Sequence, residues 1–170
     1  VLERACPRLK VLSKYGIGVD KIDVGAATEM GVPLLFTPGV NHTTVAEHTF
    51  LLLLAIEKHL LFHADSTRQG GWKRKTGREI AGKTIGIVGM GRIGQAIAHR
   101  AAAFGMPIAY TARSAKSNLP YAFVANVEDL AAQVDVLTLI TPGGAGTHHM
   151  VNAAVLKALG PKGYVVNVAR

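Results

Sequence analysis

A parallel α/β fold is the architecture this sequence predicts, and three observations predict it. Short apolar runs alternate with helical stretches along the chain, the order that covers a parallel sheet on both faces. Glycine is abundant, at 19 of 170 residues, while aromatic residues are 6%. That balance suits tight strand-to-helix turns and suits an aromatic base-stacking surface poorly. Finally, a glycine-rich segment, Gly89-Met90-Gly91-Arg92-Ile93-Gly94, follows an apolar run and opens a helical one.

The elements follow in order. Residues 9–13 read as a short strand, and Gly16-Ile17-Gly18 as a turn. A helix over 20–30 stops before Gly31, and a strand over 32–36 is closed by Thr37-Pro38-Gly39. A long helix is predicted from Thr44 to about residue 66. Thr44-Val45-Ala46-Glu47 has capping-box spacing, and Leu51, Leu52, Ala55, His59 and Leu60 follow at helical intervals. Residues 68–81 read as a loop, expected to be pinned by Trp72. Strands are then predicted over 84–88, 108–111, 121–124, 136–140 and 163–168. The intervening helices fall at 93–104, 127–133 and 153–159, the first with Ile93, Ala96, Ile97 and Ala101 on one face. A boundary near 38–44 would divide the chain into a partial unit over 1–43 and a larger one over 44–170.

Composition excludes several classes. Hydrophobic residues are 49% and charged residues 18%, a globular rather than a disordered balance. The single Cys6 excludes an intramolecular disulfide and a cysteine-rich zinc site; it is expected as an ordinary thiol in or near the core. The opening Val1-Leu2-Glu3-Arg4 has no signal-peptide pattern. The longest apolar run, 50–56, ends at Glu57-Lys58-His59, well short of the ~20 residues of a membrane helix. A soluble cytoplasmic protein with no membrane partner is therefore expected. The net charge is +8, densest at Arg68, Lys73, Arg74, Lys75 and Arg78. This cluster reads as a solvated loop, and with few aromatics and no nucleic-acid motif, no nucleic-acid partner is expected.

The glycine-rich turn carries the chemistry. Gly89 permits a tight turn, Gly91 lets the backbone approach a pyrophosphate, and Gly94 lets the helix pack closely on the strand. Free N–H groups at the helix start would then face an anion. A NAD site calls for an acid about 20 residues further on, to bond the ribose 2′-hydroxyl. Gly91 plus 20 is Thr111, and no acid occurs from 108 to 118; Arg113, Ser114 and Lys116 stand there instead. Without a carboxylate to repel a 2′-phosphate, and with a guanidinium to bind it, the segment favours NADP over NAD.

With these pieces in place the chain resembles the D-isomer specific 2-hydroxyacid dehydrogenases over essentially its whole length. The likeness rests on Tyr15-Gly16-Ile17-Gly18-Val19-Asp20 with Ile22-Asp23, Thr37-Pro38-Gly39 and Val45-Ala46-Glu47. The stretch from Gly86 to Gly94 and the closing Val166-Asn167-Val168-Ala169-Arg170 complete it. Thr111-Ala112-Arg113-Ser114 is most similar to the NADPH-dependent glyoxylate/hydroxypyruvate reductase branch, which includes the hydroxyphenylpyruvate reductases. The resemblance implies a Rossmann-type nucleotide-binding domain joined to part of a flavodoxin-like substrate domain. It also implies hydride transfer between NADPH and a small 2-oxo acid. Ile17 and Gly18 match a loop that offers backbone N–H groups to the substrate carboxylate. Arg92 and Ile93 match residues at the pyrophosphate, Thr141 and Pro142 the adenosine side, and Val168 and Ala169 the nicotinamide. Arg170 matches the catalytic arginine that holds the 2-oxo acid and polarises its carbonyl. The family dimerises through the long helix, so a homodimer is expected.

One departure stands out. The family completes its site with a Glu and a His after this arginine, whereas the sequence stops at Arg170, so it is expected to be the middle of a longer protein. The seven histidines are read as surface or packing residues. His59 and His63 are four apart, but no Glu lies between them and no third ligand is evident; no metal site is expected. His42, near the proposed cleft, is the exception to test. A dinucleotide-sensing corepressor of the same family, acting through protein partners, is the alternative reading.

Overall fold

The computed structural model describes residues 2–5 and 8–169; Cys6 and Arg170 lie outside the described residues. The chain divides into two compact units, Val1–Asn41 and His42–Arg170.

In the first unit, α1 (Leu2–Ala5) precedes β1 (Leu12–Lys14), α2 (Val24–Glu29) and β2 (Leu34–Phe36). The two strands pair in parallel, Leu12 opposite Leu34 and Lys14 opposite Phe36. β1 lies later than the predicted 9–13. α2 also starts later than predicted, because residues 19–22 form a turn closed by the Ile22 N–H on Val19 O. Asp23 then caps the helix, its Oδ1 accepting the Ala26 N–H at 2.9 Å.

The second unit holds a five-stranded parallel sheet in the order β5-β4-β3-β6-β7. The strands are β3 (Ile85–Val88), β4 (Ile108–Thr111), β5 (Ala122–Phe123), β6 (Val136–Leu139) and β7 (Tyr164–Asn167). Five helices accompany them: α3 (His42–Glu57), α4 (Leu60–Arg68), α5 (Arg92–Ala103), α6 (Val127–Ala131) and α7 (Ala153–Leu159). β3 is central, and the chain order reverses beside it, which places a crevice at the carboxyl ends of β3 and its neighbours. The pleat of β3 feeds two cores. Ile85 and Ile87 join Phe50 and Leu53 of α3 and Ile97 and Ala101 of α5. Val88 joins Leu130 of α6 and Val155 of α7.

The long helix differs from expectation at both ends. α3 begins at His42, so Thr44 lies inside its first turn and the predicted capping box does not set the start. The helix also breaks. His59 adopts a left-handed φ of 50°, and α4 restarts beyond it. Just before the break Glu57 is fully buried, and the loop after α4 closes on it. Its Oε2 accepts from Arg78 Nε at 3.1 Å, Lys83 Nζ lies 3.5 Å from its Oε1, and its backbone carbonyl accepts the Arg78 N–H at 2.9 Å. Ser66 fastens the loop elsewhere, its Oγ accepting the Lys73 N–H at 3.0 Å. Trp72 is 82% exposed and does not pin the loop; the buried carboxylate and the Ser66 hydroxyl do. Arg68, Lys73, Arg74, Lys75 and Arg78 are all exposed.

Candidate functional site

β3 enters the glycine turn at Gly89, whose φ of +108° is a conformation that favours glycine. A Cβ there would also press to 3.0 Å from Ile140 O. At Gly94 a Cβ would collide with the carbonyl oxygen of Gly89, so the helix can lie this close to the turn only without a side chain. Gly91 is different: a Cβ there would meet nothing within 4 Å. The fold itself makes no demand for glycine at that position. Gly91 is the N-cap of α5, and no side chain caps the helix. Arg92 is exposed and Ile93 half-buried beside it. Open space above Gly91 and an uncapped N-terminus form a cradle suited to an anion approaching the backbone. These residues fit a dinucleotide pyrophosphate.

The end of β4 is fastened to this turn. The Gly89 N–H donates to Thr111 O at 2.9 Å. Thr111 is buried, and its hydroxyl donates to Ala125 O at 3.3 Å. Position 111 therefore faces inward, and the exposed positions beyond it are Arg113, Ser114 and Lys116. Sequence reasoning missed how this loop is held. The backbone N–H of Lys116 donates to the Tyr110 hydroxyl at 2.7 Å. The available signal was a lone phenol in an otherwise apolar strand, since a buried Tyr usually finds its hydroxyl a partner.

Thr141, Pro142 and Ala169 line a second feature, a pocket of about 190 Å³ between the segments leaving β6 and β7, together with Thr147, His149 and Asn167. Thr147 Oγ1 donates to Pro142 O at 2.7 Å, the Ala169 N–H donates to Asn167 Oδ1 at 3.0 Å, and the Val168 N–H donates to Leu139 O at 3.3 Å. His149 carries a left-handed φ of 53° and stacks on His148, ring centroids 3.8 Å apart, a pairing that periodicity and spacing do not signal.

Ile17 and Gly18 belong to the first unit, half-buried in the loop after β1. That loop is tied to the end of β2: the Gly16 N–H donates to Thr37 Oγ1 at 3.1 Å, and the Thr37 N–H donates to Gly16 O at 3.2 Å. The same unit holds a larger cavity, about 420 Å³, lined by Val24, Ala27, Gly31 and Leu34 among others; none of the predicted site residues lines it. Arg170 lies outside the described residues. His42 opens α3, and His63 Nε2 lies 3.1 Å from Lys75 O, a packing role. No group of three or more metal-ligating side chains occurs among the described residues.

A five-stranded parallel sheet with a glycine turn at its central strand defines a Rossmann nucleotide-binding domain. Residues 50–170 match the family model described as D-isomer specific 2-hydroxyacid dehydrogenase, NAD binding domain, and the chain belongs to that family. It is 38% identical over 169 residues to hydroxyphenylpyruvate reductase of Plectranthus scutellarioides, covering 98% of this chain and 54% of the relative. Among solved structures it resembles an NADPH-dependent glyoxylate/hydroxypyruvate reductase of Sinorhizobium meliloti in complex with NADP and malonate. That likeness has a TM-score of 0.83 and 37% identity over 99% of this chain and 54% of the other. It also resembles D-lactate dehydrogenase of Aquifex aeolicus complexed with NAD and lactic acid, with a TM-score of 0.84 and 30% identity over 96% and 51%. The chain spans about half the length of the curated relatives it matches. Among the described residues no helix is long and apolar enough to cross a membrane.

Proposed function

We propose that this chain belongs to an NADPH-dependent reductase of small 2-oxo acids of the glyoxylate or hydroxypyruvate type. The observation that carries the reading is the bond from Gly89 N–H to Thr111 O. It ties the end of β4, from which the acid-free loop bearing Arg113 departs, to the glycine turn. Relatives named as glyoxylate and hydroxypyruvate reductases, one of them solved with NADP, support it.

In this reading bound NADPH would supply the hydride to the 2-oxo carbon, and the His that the family pattern places after Arg170 would donate the proton to the carbonyl oxygen. The N–H groups at the start of α5 hold the pyrophosphate, and Gly91 keeps that approach open. Arg113 grips the 2′-phosphate, with Ser114 and Lys116 beside it. Thr141 and Pro142 flank the adenosine, and Val168 and Ala169 the nicotinamide. Backbone N–H groups of Ile17 and Gly18 receive the substrate carboxylate. Arg170 would bind a 2-oxo acid in two-pronged fashion and polarise the carbonyl that is reduced. Residues 1–43 would then contribute to a substrate domain and 44–170 to the nucleotide-binding domain. The protein would act as a homodimer.

Cofactor titration by fluorescence tests this reading. A charge-assisted contact contributes about 1.5–3 kcal/mol, so NADPH should bind roughly 10- to 150-fold more tightly than NADH. Arg113→Ala should abolish most of the difference. Equal affinities in the unsubstituted chain would overturn the assignment.

A further inference from the structure

The loop that bears Arg113 has only a few anchors. It leaves β4 at Thr111, runs exposed from 113 to 118, and returns through Leu119, which packs against the core. No proline stiffens its exposed part, Arg113-Ser114-Ala115-Lys116-Ser117-Asn118. Two backbone N–H groups tie it down: Leu119 N–H donates to Lys116 O at 3.2 Å, and Lys116 N–H donates to the Tyr110 hydroxyl at 2.7 Å. The first bond lies within the loop. The second joins the loop to the sheet.

Tyr110 is a firm anchor. It is 1% exposed, its ring meets Phe123 edge-on at 5.5 Å, and its carbonyl accepts the Val124 N–H at 2.9 Å. A phenol held this way cannot follow the loop, so the loop is held to it. A guanidinium selects a 2′-phosphate only if the backbone beneath it is placed before the ligand arrives.

We propose that Tyr110 is a positioning residue for cofactor selection. Its buried hydroxyl, by accepting the Lys116 N–H, holds the 112–116 segment bent across the end of β4 and so places Arg113 for a 2′-phosphate. The inference rests on the NADPH reading above, and extends it to a residue that touches no cofactor.

The test is a double-mutant cycle on the full chain, reading dissociation constants for NADPH and NADH by fluorescence. Tyr110→Phe keeps the ring and removes only the hydroxyl. It should weaken NADPH about 5- to 10-fold, the effect of one lost neutral hydrogen bond, and leave NADH within about 2-fold. In an Arg113→Ala background the same substitution should change neither affinity, because the hydroxyl acts through that guanidinium. Amide hydrogen exchange at Lys116 should accelerate in Tyr110→Phe. If that variant folds poorly, Lys116→Pro compared with Lys116→Ala removes the same N–H from the surface side. Both variants lose the charge, and only the first loses the donor, so the proline should again weaken NADPH selectively. Equal losses for both cofactors, no loss for either, or an undiminished effect without Arg113 would overturn the inference alone. An unsubstituted chain that binds NADH as tightly as NADPH would overturn the NADPH reading, and this inference with it.

Discussion

The three glycines of the turn look alike in sequence and differ in what the fold asks of them. Gly94 is fixed by the protein, since its missing Cβ is what lets α5 approach the Gly89 carbonyl. Gly91 is fixed by nothing in the protein, since a Cβ there meets open space. This separates stability from binding at the scale of one methyl group. Gly94→Ala should unfold the domain or destabilise it by about 4 kcal/mol or more, the range of severe backbone and packing clashes. Gly91→Ala should change stability by about 1 kcal/mol or less, because the N-cap preference for Gly over Ala opposes the entropy that Ala removes from the unfolded chain, while weakening dinucleotide binding at least tenfold. Calorimetry on the two variants, paired with NADPH titration, reads both quantities. If Gly91→Ala bound cofactor normally, the open space above the turn would not be where a pyrophosphate lies. Arg170 belongs to the same scale. On the proposed reading, Arg170→Lys should reduce turnover of glyoxylate or hydroxypyruvate more than NADPH affinity, because a point charge cannot reproduce a two-pronged grip; steady-state kinetics with these acids would check this.

At the scale of elements, the junction between α3 and α4 centres on a buried charged residue. Glu57 is buried, and both cations that meet it, Arg78 and Lys83, arrive from the loop beyond α4. Glu57→Gln keeps the volume and removes the charge, leaving Arg78 and Lys83 without their ion pair. It should cost about 1–3 kcal/mol, seen as a lower urea midpoint, and should make the 71–80 loop more susceptible to proteolysis. Unchanged stability would mean that the ion pairs only follow the fold. This junction was not legible in the sequence. Periodicity runs without a gap from Leu51 to Leu60, and the contact at the break comes from Arg78, 21 positions after Glu57. The sheet strands were legible, because β3, β4, β6 and β7 are short apolar runs bounded by turns, and the structure places each within a residue of its predicted bounds. The glycine cradle was legible for the same local reason. The Tyr110 anchor and the His148–His149 stack were not, since both depend on where side chains meet after folding. Trp72 misled because a bulky aromatic in a loop suggests an anchor, whereas here two small polar contacts perform that task.

At the scale of the whole molecule, the C-terminal half of α3, residues 50–56, is apolar all round. It buries Phe50 and Leu53 against the sheet, yet Leu51 is 54% and Ile56 45% exposed. Leu60, Leu61 and Phe62 of α4 continue the pattern, Leu61 at 73%. Scattered apolar residues on a surface need no explanation, but five large ones between positions 51 and 62, on two consecutive helices, do. An apolar helix surface of this size is ordinarily covered, and the +8 net charge does little to relieve it, because the one Lys or Arg between positions 50 and 63 is Lys58, exposed at the junction of the two helices. A second copy of the chain is the simplest cover: it presents the same apolar residues in the self-complementary arrangement that a two-fold interface requires. Light scattering at micromolar concentration should therefore report a dimer. Leu61→Asp should shift it toward monomer, since the charge would be desolvated twice, once for each copy. Leu156→Asp, on α7 and also solvent-facing at 50% exposure, is the control that should leave the dimer intact. A monomer in the unsubstituted protein, or equal effects from the two aspartates, would mean that α3 and α4 carry their apolar surface for some other partner.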